Sequence, residues 1–172
     1  VPSHAFDGDK NFENADSRWI SENTAGGHWL SIDLGAEKEI GGYILYAGFW
    51  NKDHMSNPVK NFCLQSSTDG ETWADIPGAE KFENDLFTVD DKFKTVKTRY
   101  VRFYTTDAQV RVYELEIYAP DPDYVYVDPA AQPSYKSKNY NRYTAFGTTY
   151  RGNDYGKFMK VNDGITNANG VG

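Results

Sequence analysis

His4-Ala5-Phe6-Asp7-Gly8-Asp9, answered further on by Ser17-Arg18-Trp19, is the stretch around which the chain is organised. It sets two carboxylates and a glycine turn side by side and then supplies an aromatic anchor. Clustered acids repel each other unless a cation or a hydrogen-bond network compensates. A calcium ion acting as structural glue answers that need; an Asx-type turn capped by its own backbone is the ion-free alternative. A strand at Val112-Tyr113-Glu114-Leu115-Glu116-Ile117-Tyr118 is expected to close the ion site from the other end.

Between these ends the sequence reads as short strands. Leu30, Ile32 and Leu34 alternate with Ser31 and Asp33, which predicts a half-buried strand ended by Gly35. A second strand is predicted over residues 40–47, a loop over 49–58 and a third strand over 61–67. Asp69-Gly70 then signals a hairpin, because glycine accepts the positive φ of a tight turn. Further strands are predicted around residues 87–89 and 99–105. In the last strand Tyr113, Leu115 and Ile117 share one face, and Glu114 and Glu116 the other, solvent-facing on an edge. Residues 1–23 read as a structured loop, and no amphipathic helix is evident. Many short strands with turns between them make a sandwich or barrel.

Composition agrees. Thirteen Tyr, ten Phe and four Trp are bulky, β-preferring residues. A net charge of −7 disfavours nucleic acid or an anionic membrane as partner, since both reward basic surface, and leaves neutral sugars unaffected. The single cysteine, Cys63, permits no internal disulfide and reads as a small hydrophobe within a strand. No apolar run approaches membrane-spanning length, a signal-peptide pattern is absent, and there is no Asn-x-Ser/Thr acceptor. The chain has no phosphate loop, zinc spacing or serine-nucleophile motif.

Residues 120–123 carry two prolines and read as a linker closing a first domain of residues 1–119. Residues 124–172 form a less regular extension in which 124–127 could be a strand. Val161-Asn162-Asp163-Gly164 echoes Ala5-Phe6-Asp7-Gly8, as the truncated start of a second, related module would. Such an extension lacks the strands to bury a core and is expected to be partly mobile or packed on the first domain.

Taken in order, Ala5-Phe6-Asp7-Gly8, Ser17-Arg18-Trp19-Ile20-Ser21, Trp29-Leu30-Ser31-Ile32-Asp33-Leu34-Gly35, Ser67-Thr68-Asp69-Gly70-Glu71-Thr72-Trp73, Tyr100-Val101-Arg102-Phe103 and Tyr113-Glu114-Leu115-Glu116-Ile117-Tyr118 resemble the discoidin, or coagulation factor V/VIII type C, superfamily. More narrowly, they resemble bacterial carbohydrate-binding module family 32. The resemblance implies an all-β, galactose-binding-like jelly-roll sandwich of two antiparallel sheets. It also implies a structural calcium site: carboxylates from Asp7 and Glu114, a hydroxyl and carbonyl from Ser17, and backbone carbonyls from His4, Asp9 and Tyr113. That set is hard and oxygen-only, as calcium prefers. The family usually opens with a strand before the position of Val1, so either the chain starts inside the domain or another segment fills that edge.

Sugar recognition needs a ring for the apolar pyranose face and polar groups for its hydroxyls. In the related modules these lie on loops at one end of the sandwich, where this chain offers Asn23, His28, Phe49, Trp50, Asp53, His54, Asn57 and Arg111. Trp50 is the stacking candidate, with a rim aromatic covering its loop as the alternative. Trp19, Trp29 and Trp73 read as core. Glu114 and Glu116 are merely adjacent on a strand, which argues against a glycosidase acid/base pair. The expected function is a non-catalytic module, secreted or at the cell surface, that holds a covalently linked glycan-active enzyme on its carbohydrate substrate. A discoidin-like adhesion or protein-interaction module and an architectural spacer without ligand are the alternatives; neither nucleic acid nor membrane insertion is expected.

Overall fold

The structure, a computed structural model, describes residues 1–128 and 168–171. It opens with a 3-10 turn at Pro2–Phe6 and continues as strands β1 (Trp19–Ile20), β2 (His28–Ala47), β3 (Phe49–Asn51), β4 (His54–Ser56), β5 (Phe62–Ser67), β6 (Ala74–Asp75), β7 (Thr88–Thr105), β8 (Arg111–Tyr118) and β9 (Ala168–Val171). All pairings are antiparallel, and no helix of the described residues is long and apolar enough to cross a membrane.

The all-β sandwich of two antiparallel sheets is observed, though its strands are longer than expected. Residues 28–35 and 40–47 are not two strands but one, β2, and residues 87–89 and 99–105 merge into β7. The two pair along their length, with register shifts between Asp33 and Lys38 and between Ile40 and Gly42. Such irregularities bend a ribbon, so each long strand serves both layers. Residues 28–33 of β2 pair with the end of β7, which also carries β5 and then β6. Residues 42–47 pair with the start of β7 on one side and with β8 on the other, β1 following β8. The small β3–β4 ribbon stands apart.

Between the layers lie Leu30, Ile32, Leu64, Val101 and Phe103 from one sheet and Tyr43, Leu45, Val89, Leu115 and Ile117 from the other, all buried. Rings knit them together: Phe62 lies 5.4 Å from Phe103 and 6.3 Å from Tyr43, and Trp19 lies 6.4 Å from Phe103. Trp19 is core, as expected. Trp29 and Trp73 are not. Trp29 precedes the inward Leu30 and so faces out, while Trp73 ends the hairpin turn half-buried, 4.3 Å from the Arg102 guanidinium.

The hairpin itself is as expected: Gly70 has φ +79°, and Gln65 and Ser66 pair with Asp75 and Ala74. Asp69 Oδ1 accepts the N–H groups of both Glu71 and Thr72 at 2.8 Å. Those bonds hold its pKa well below the usual carboxylate range. The unfolded chain therefore protonates first, near pH 4, and this stabilisation, complete above that pH, is lost as pH falls through the lower folded-state value. Asp69→Asn is accordingly expected to melt lower than the parent at pH 7, with a smaller drop in melting temperature between pH 5 and pH 2.

β8 corrects a second expectation. It is no edge strand but lies between β1 and β2, and Glu114 and Glu116 are 0% and 3% exposed. The 7–17 loop covers them: Lys10 Nζ is 2.9 Å from Glu116 Oε1, and Phe12 packs edge-on against Tyr113 at 4.9 Å. Tyr46 pairs with Glu114 but Ala47 with Val112, so Tyr113 is the extra residue of a bulge. It leaves the face of Leu115 and Ile117 and meets Arg18, whose Nη1 donates to its hydroxyl at 2.8 Å.

Residues 124–127 form no strand, although Tyr124 donates its hydroxyl to the Lys92 carbonyl at 3.3 Å and Asp121 pairs with Lys92. The expected linker is thus tied to the sandwich. Most of the extension, including the Val161–Gly164 echo, lies outside the described residues. Its end does not: β9 pairs with Trp29–Ile32 of β2, on the side opposite β7. Gly170 suits that place, since a Cβ there would lie 3.0 Å from Trp19 Nε1 and 3.1 Å from the Trp29 carbonyl.

Candidate functional site

Two groups of predicted residues gather at separate places. The first is the 7–17 loop against β8. Gly8 N–H donates to Glu114 Oε2 at 3.0 Å, across 106 residues of sequence, and Ser17 Oγ donates to Asp7 Oδ2 at 2.5 Å. The expected convergence of Asp7, Ser17 and Glu114 on the Gly8 turn is therefore present. The tyrosine bulge sets Tyr113 beside it, and His4 lies within the short helical turn with its Nδ1 buried and without a hydrogen-bond partner among the described residues.

The Asx alternative is realised in the same loop. Asp7 Oδ1 accepts from Asp9 N–H, Asp9 Oδ1 from Asn11 N–H, and Asn11 Oδ1 from Glu13 N–H, at 2.8–3.0 Å. Asn14 Nδ2 also donates to Asp9 Oδ2 at 2.6 Å, and these bonds lower the Asp9 pKa. Serial Asx turns shape the loop, and Glu114 lies buried at the base of it, accepting from Gly8 N–H. No group of three or more His, Cys, Asp or Glu side chains is placed to hold a metal ion among the described residues. The expected donor set has only two carboxylates; its remaining ligands are hydroxyl and carbonyl oxygens, the usual company of calcium. The residues present fit that ion.

The second group lies where the loops 21–27, 48–61 and 106–111 meet. Gln109 N–H donates to the Glu22 carbonyl at 2.9 Å, beside Asn23, and the Gln109 carbonyl accepts from Arg111 Nη1 at 3.0 Å. Arg111 stacks on Phe49, its guanidinium 4.4 Å from the ring centroid, and its Nε is buried without an acceptor among the described residues. Burial, helped by Arg18 nearby, pulls its pKa below the ordinary arginine value. Phe49 opens the β3–β4 ribbon, in which Trp50 pairs with Met55 and Asn51 with His54. The tip presents Asp53 and His54 to solvent, Nδ1 2.5 Å from Oδ1, and Asn57 follows with φ +52°.

Seven of the eight predicted loop residues are thus surface or half-buried at one end of the sandwich. His28 is the eighth: 3% exposed, it sits with Nε2 3.0 Å from the Thr24 carbonyl and holds its own loop closed rather than facing a ligand. Sequence reasoning missed Asp107, whose carboxylate accepts from Lys60 N–H, Asn61 N–H and Asn61 Nδ2 at 2.5, 3.0 and 3.1 Å. An aspartate just past a strand end is a turn signal, and this one joins the loop bearing Asn57 to the loop before Arg111. Cys63 is half-buried with Sγ 3.5 Å from Asp75 Oδ1, and burial pushes its thiol up to about 12. That is no nucleophile.

Comparison with known proteins agrees with this fold. A family model described as the F5/8 type C domain matches residues 1–115. Among solved structures, chitosan-binding module 1 from a chitosanase/glucanase of Paenibacillus sp. IK-5 is similar at 21% identity and a TM-score of 0.56, over 69% of this chain and 85% of that one. The lectin domain of lectinolysin, complexed with Lewis B antigen, is similar at 18% identity and a TM-score of 0.58, over 70% and 85%. The module CpGH89CBM32-5 from Clostridium perfringens, in complex with GalNAc-β-1,3-galactose, follows at 19% and 0.53, over 66% and 80%. No curated protein sequence matches the chain.

Proposed function

The chain belongs to the F5/8 type C domain family, and from that premise we propose that it is a non-catalytic glycan-binding module of the family 32 kind. The observation that carries the reading is the pairing of Arg111 with Phe49 at the foot of a ribbon that also presents Trp50, Asp53 and His54. An arginine half removed from water on a ring is a fixed donor for sugar hydroxyls, and the half-buried Trp50, next to Phe49 in the ribbon, would supply an apolar face. The similar structures solved with bound glycans support the reading. Asp7 and Glu114, with Ser17 and the carbonyls of His4, Asp9 and Tyr113, would hold a calcium ion that fixes the first loop to β8. That role is structural, and the ion supplies no chemistry to a substrate.

The module would act outside the cell, holding a linked glycan-active enzyme on its substrate by raising the local concentration of cleavable bonds. Single-site affinity is expected to be weak, because a shallow surface buries little of a sugar. Printed glycans and liposomes, presented to the whole chain with and without chelator, test this. Glycan binding without liposome binding is expected, weakened at least about tenfold in Arg111→Ala and Trp50→Ala, as loss of a charge-assisted bond or a stacked ring dictates. Silence on both surfaces would leave the architectural spacer, and binding to liposomes alone the adhesion reading.

A further inference from the structure

The two tryptophans missing from the core mark a second surface, on a sheet face and not on the loops. Trp29 of β2, Tyr100, Arg102 and Tyr104 of β7, and Gln65 of β5 share the outer face of one sheet, in registers Trp29↔Tyr104 and Gln65↔Arg102. Trp73 folds over that face from the hairpin, and a concavity of about 650 Å³ lies among Trp29, Trp73, Tyr100 and Arg102. A further one of about 460 Å³ lies beyond Tyr104.

Arg102 is the centre of this surface. Its Nε donates to Gln65 Oε1 at 2.8 Å, and its guanidinium lies 4.3 Å from the Trp73 ring centroid and 5.8 Å from those of Trp29 and Tyr104. Ring stacking and one hydrogen bond therefore fix its plane, yet neither terminal amino group has an acceptor among the described residues. Asp75 on the same face is held by Gln65 Nε2 at 2.7 Å and forms no ion pair with it. Asp33, further along β2, is taken in a two-bond clasp by Arg99. Burial lowers the Arg102 pKa, offset in part by Tyr104, Cys63 and Asp75 nearby.

We propose that this sheet face binds a carboxylate-bearing pyranose, a hexuronate unit of an acidic polysaccharide, with the carboxylate on the open fork of Arg102 and the sugar ring among Trp29, Trp73 and Tyr100. A planar guanidinium matches a carboxylate with two parallel bonds, which lysine cannot do. The surrounding rings suit the apolar face of a pyranose and strengthen the ion contact by excluding water. A net charge of −7 repels polyanions in general, so attraction here has to come from this built contact and not from a diffuse field. The surface is independent of the loop site, and neither reading needs the other.

Titration calorimetry of the whole chain with tetragalacturonate, and with its carboxyl-reduced counterpart, is the test. The acidic oligosaccharide should bind, the reduced one about 10- to 100-fold more weakly, and added salt should weaken only the first. Arg102→Ala should lose binding by a similar factor. Arg102→Lys keeps charge and stem, so it preserves the fold but loses the fork, and it should still bind about tenfold more weakly. The proposal is overturned by no binding at millimolar concentrations, by equal binding of both oligosaccharides, or by unaltered affinity in Arg102→Lys.

Discussion

Glu114→Ala is expected to cost about 3 kcal/mol of stability and to abolish any rise in melting temperature on adding calcium. The side chain is wholly buried, and its Oε2 is the acceptor for Gly8 N–H. Truncation leaves that donor without its partner, opens a small cavity and removes a carboxylate that joins β8 to the turn proposed to hold the ion. In the parent, a ligand held only by the folded state raises stability by about 2.7 kcal/mol at a hundred times its dissociation constant. Metal-stripped protein should therefore melt lower than calcium-loaded protein, and Glu114→Ala should melt at one temperature under both conditions. Asp7→Asn separates the contributions: its serial Asx turn can persist through the amide oxygen, so the metal-free protein should change little while the calcium increment shrinks. An unaltered melting temperature after stripping and re-addition would leave Asx turns and Lys10 as the compensation for the buried acids.

That experiment also bears on which features sequence reasoning could reach. The turn and anchor around Gly8 were legible because their chemistry is local: Asp-Gly-Asp and Ser-Arg-Trp announce turns and an anchor, and alternation placed Glu114 opposite Leu115. Their burial was not legible, because nothing in residues 112–118 says that the 7–17 loop crosses over them. The same limit produced the error over Trp29 and Trp73. A tryptophan beside an alternating strand satisfies either face, and only the register of Leu30 against Phe103 shows that Trp29 points outward. Arg102, its partner, read as one polar position of a strand; the cross-strand neighbour Gln65 and the hairpin that returns Trp73 give it meaning. The merging of two short strands into β2 escaped for another reason. Gly35 and Gly41-Gly42 look like terminators, yet here they accompany bends at which a continuous strand changes layer.

Lys81→Met should be about as damaging as the loss of Glu114, at about 3–5 kcal/mol, while a Lys81→Met/Asp91→Leu double variant should recover most of it. Nothing in the sequence signals this pair: Lys81 and Asp91 are 4% and 3% exposed and bonded to each other inside the protein. Two charges taken from water gain little over an apolar pair of the same size, but a single buried charge has no comparable escape. In Lys81→Met, Asp91 retains only the Lys92 N–H on Oδ1 at 2.8 Å and must either stay ionised at high cost or take up a proton. Urea unfolding of the two single variants and the double closes a cycle in which the coupling should exceed about 2 kcal/mol. Lys81 also bonds Phe62 of β5 through both its backbone groups, at 2.7 and 3.0 Å, so the pair pins the segment that carries Glu80 and Phe82 against the sheet. Single variants should therefore expose that segment to proteolysis before the domain unfolds, and the double variant should not. Equal costs for single and double variants would mean that the apolar contacts around Lys81 hold the segment, with the ion pair contributing nothing of its own.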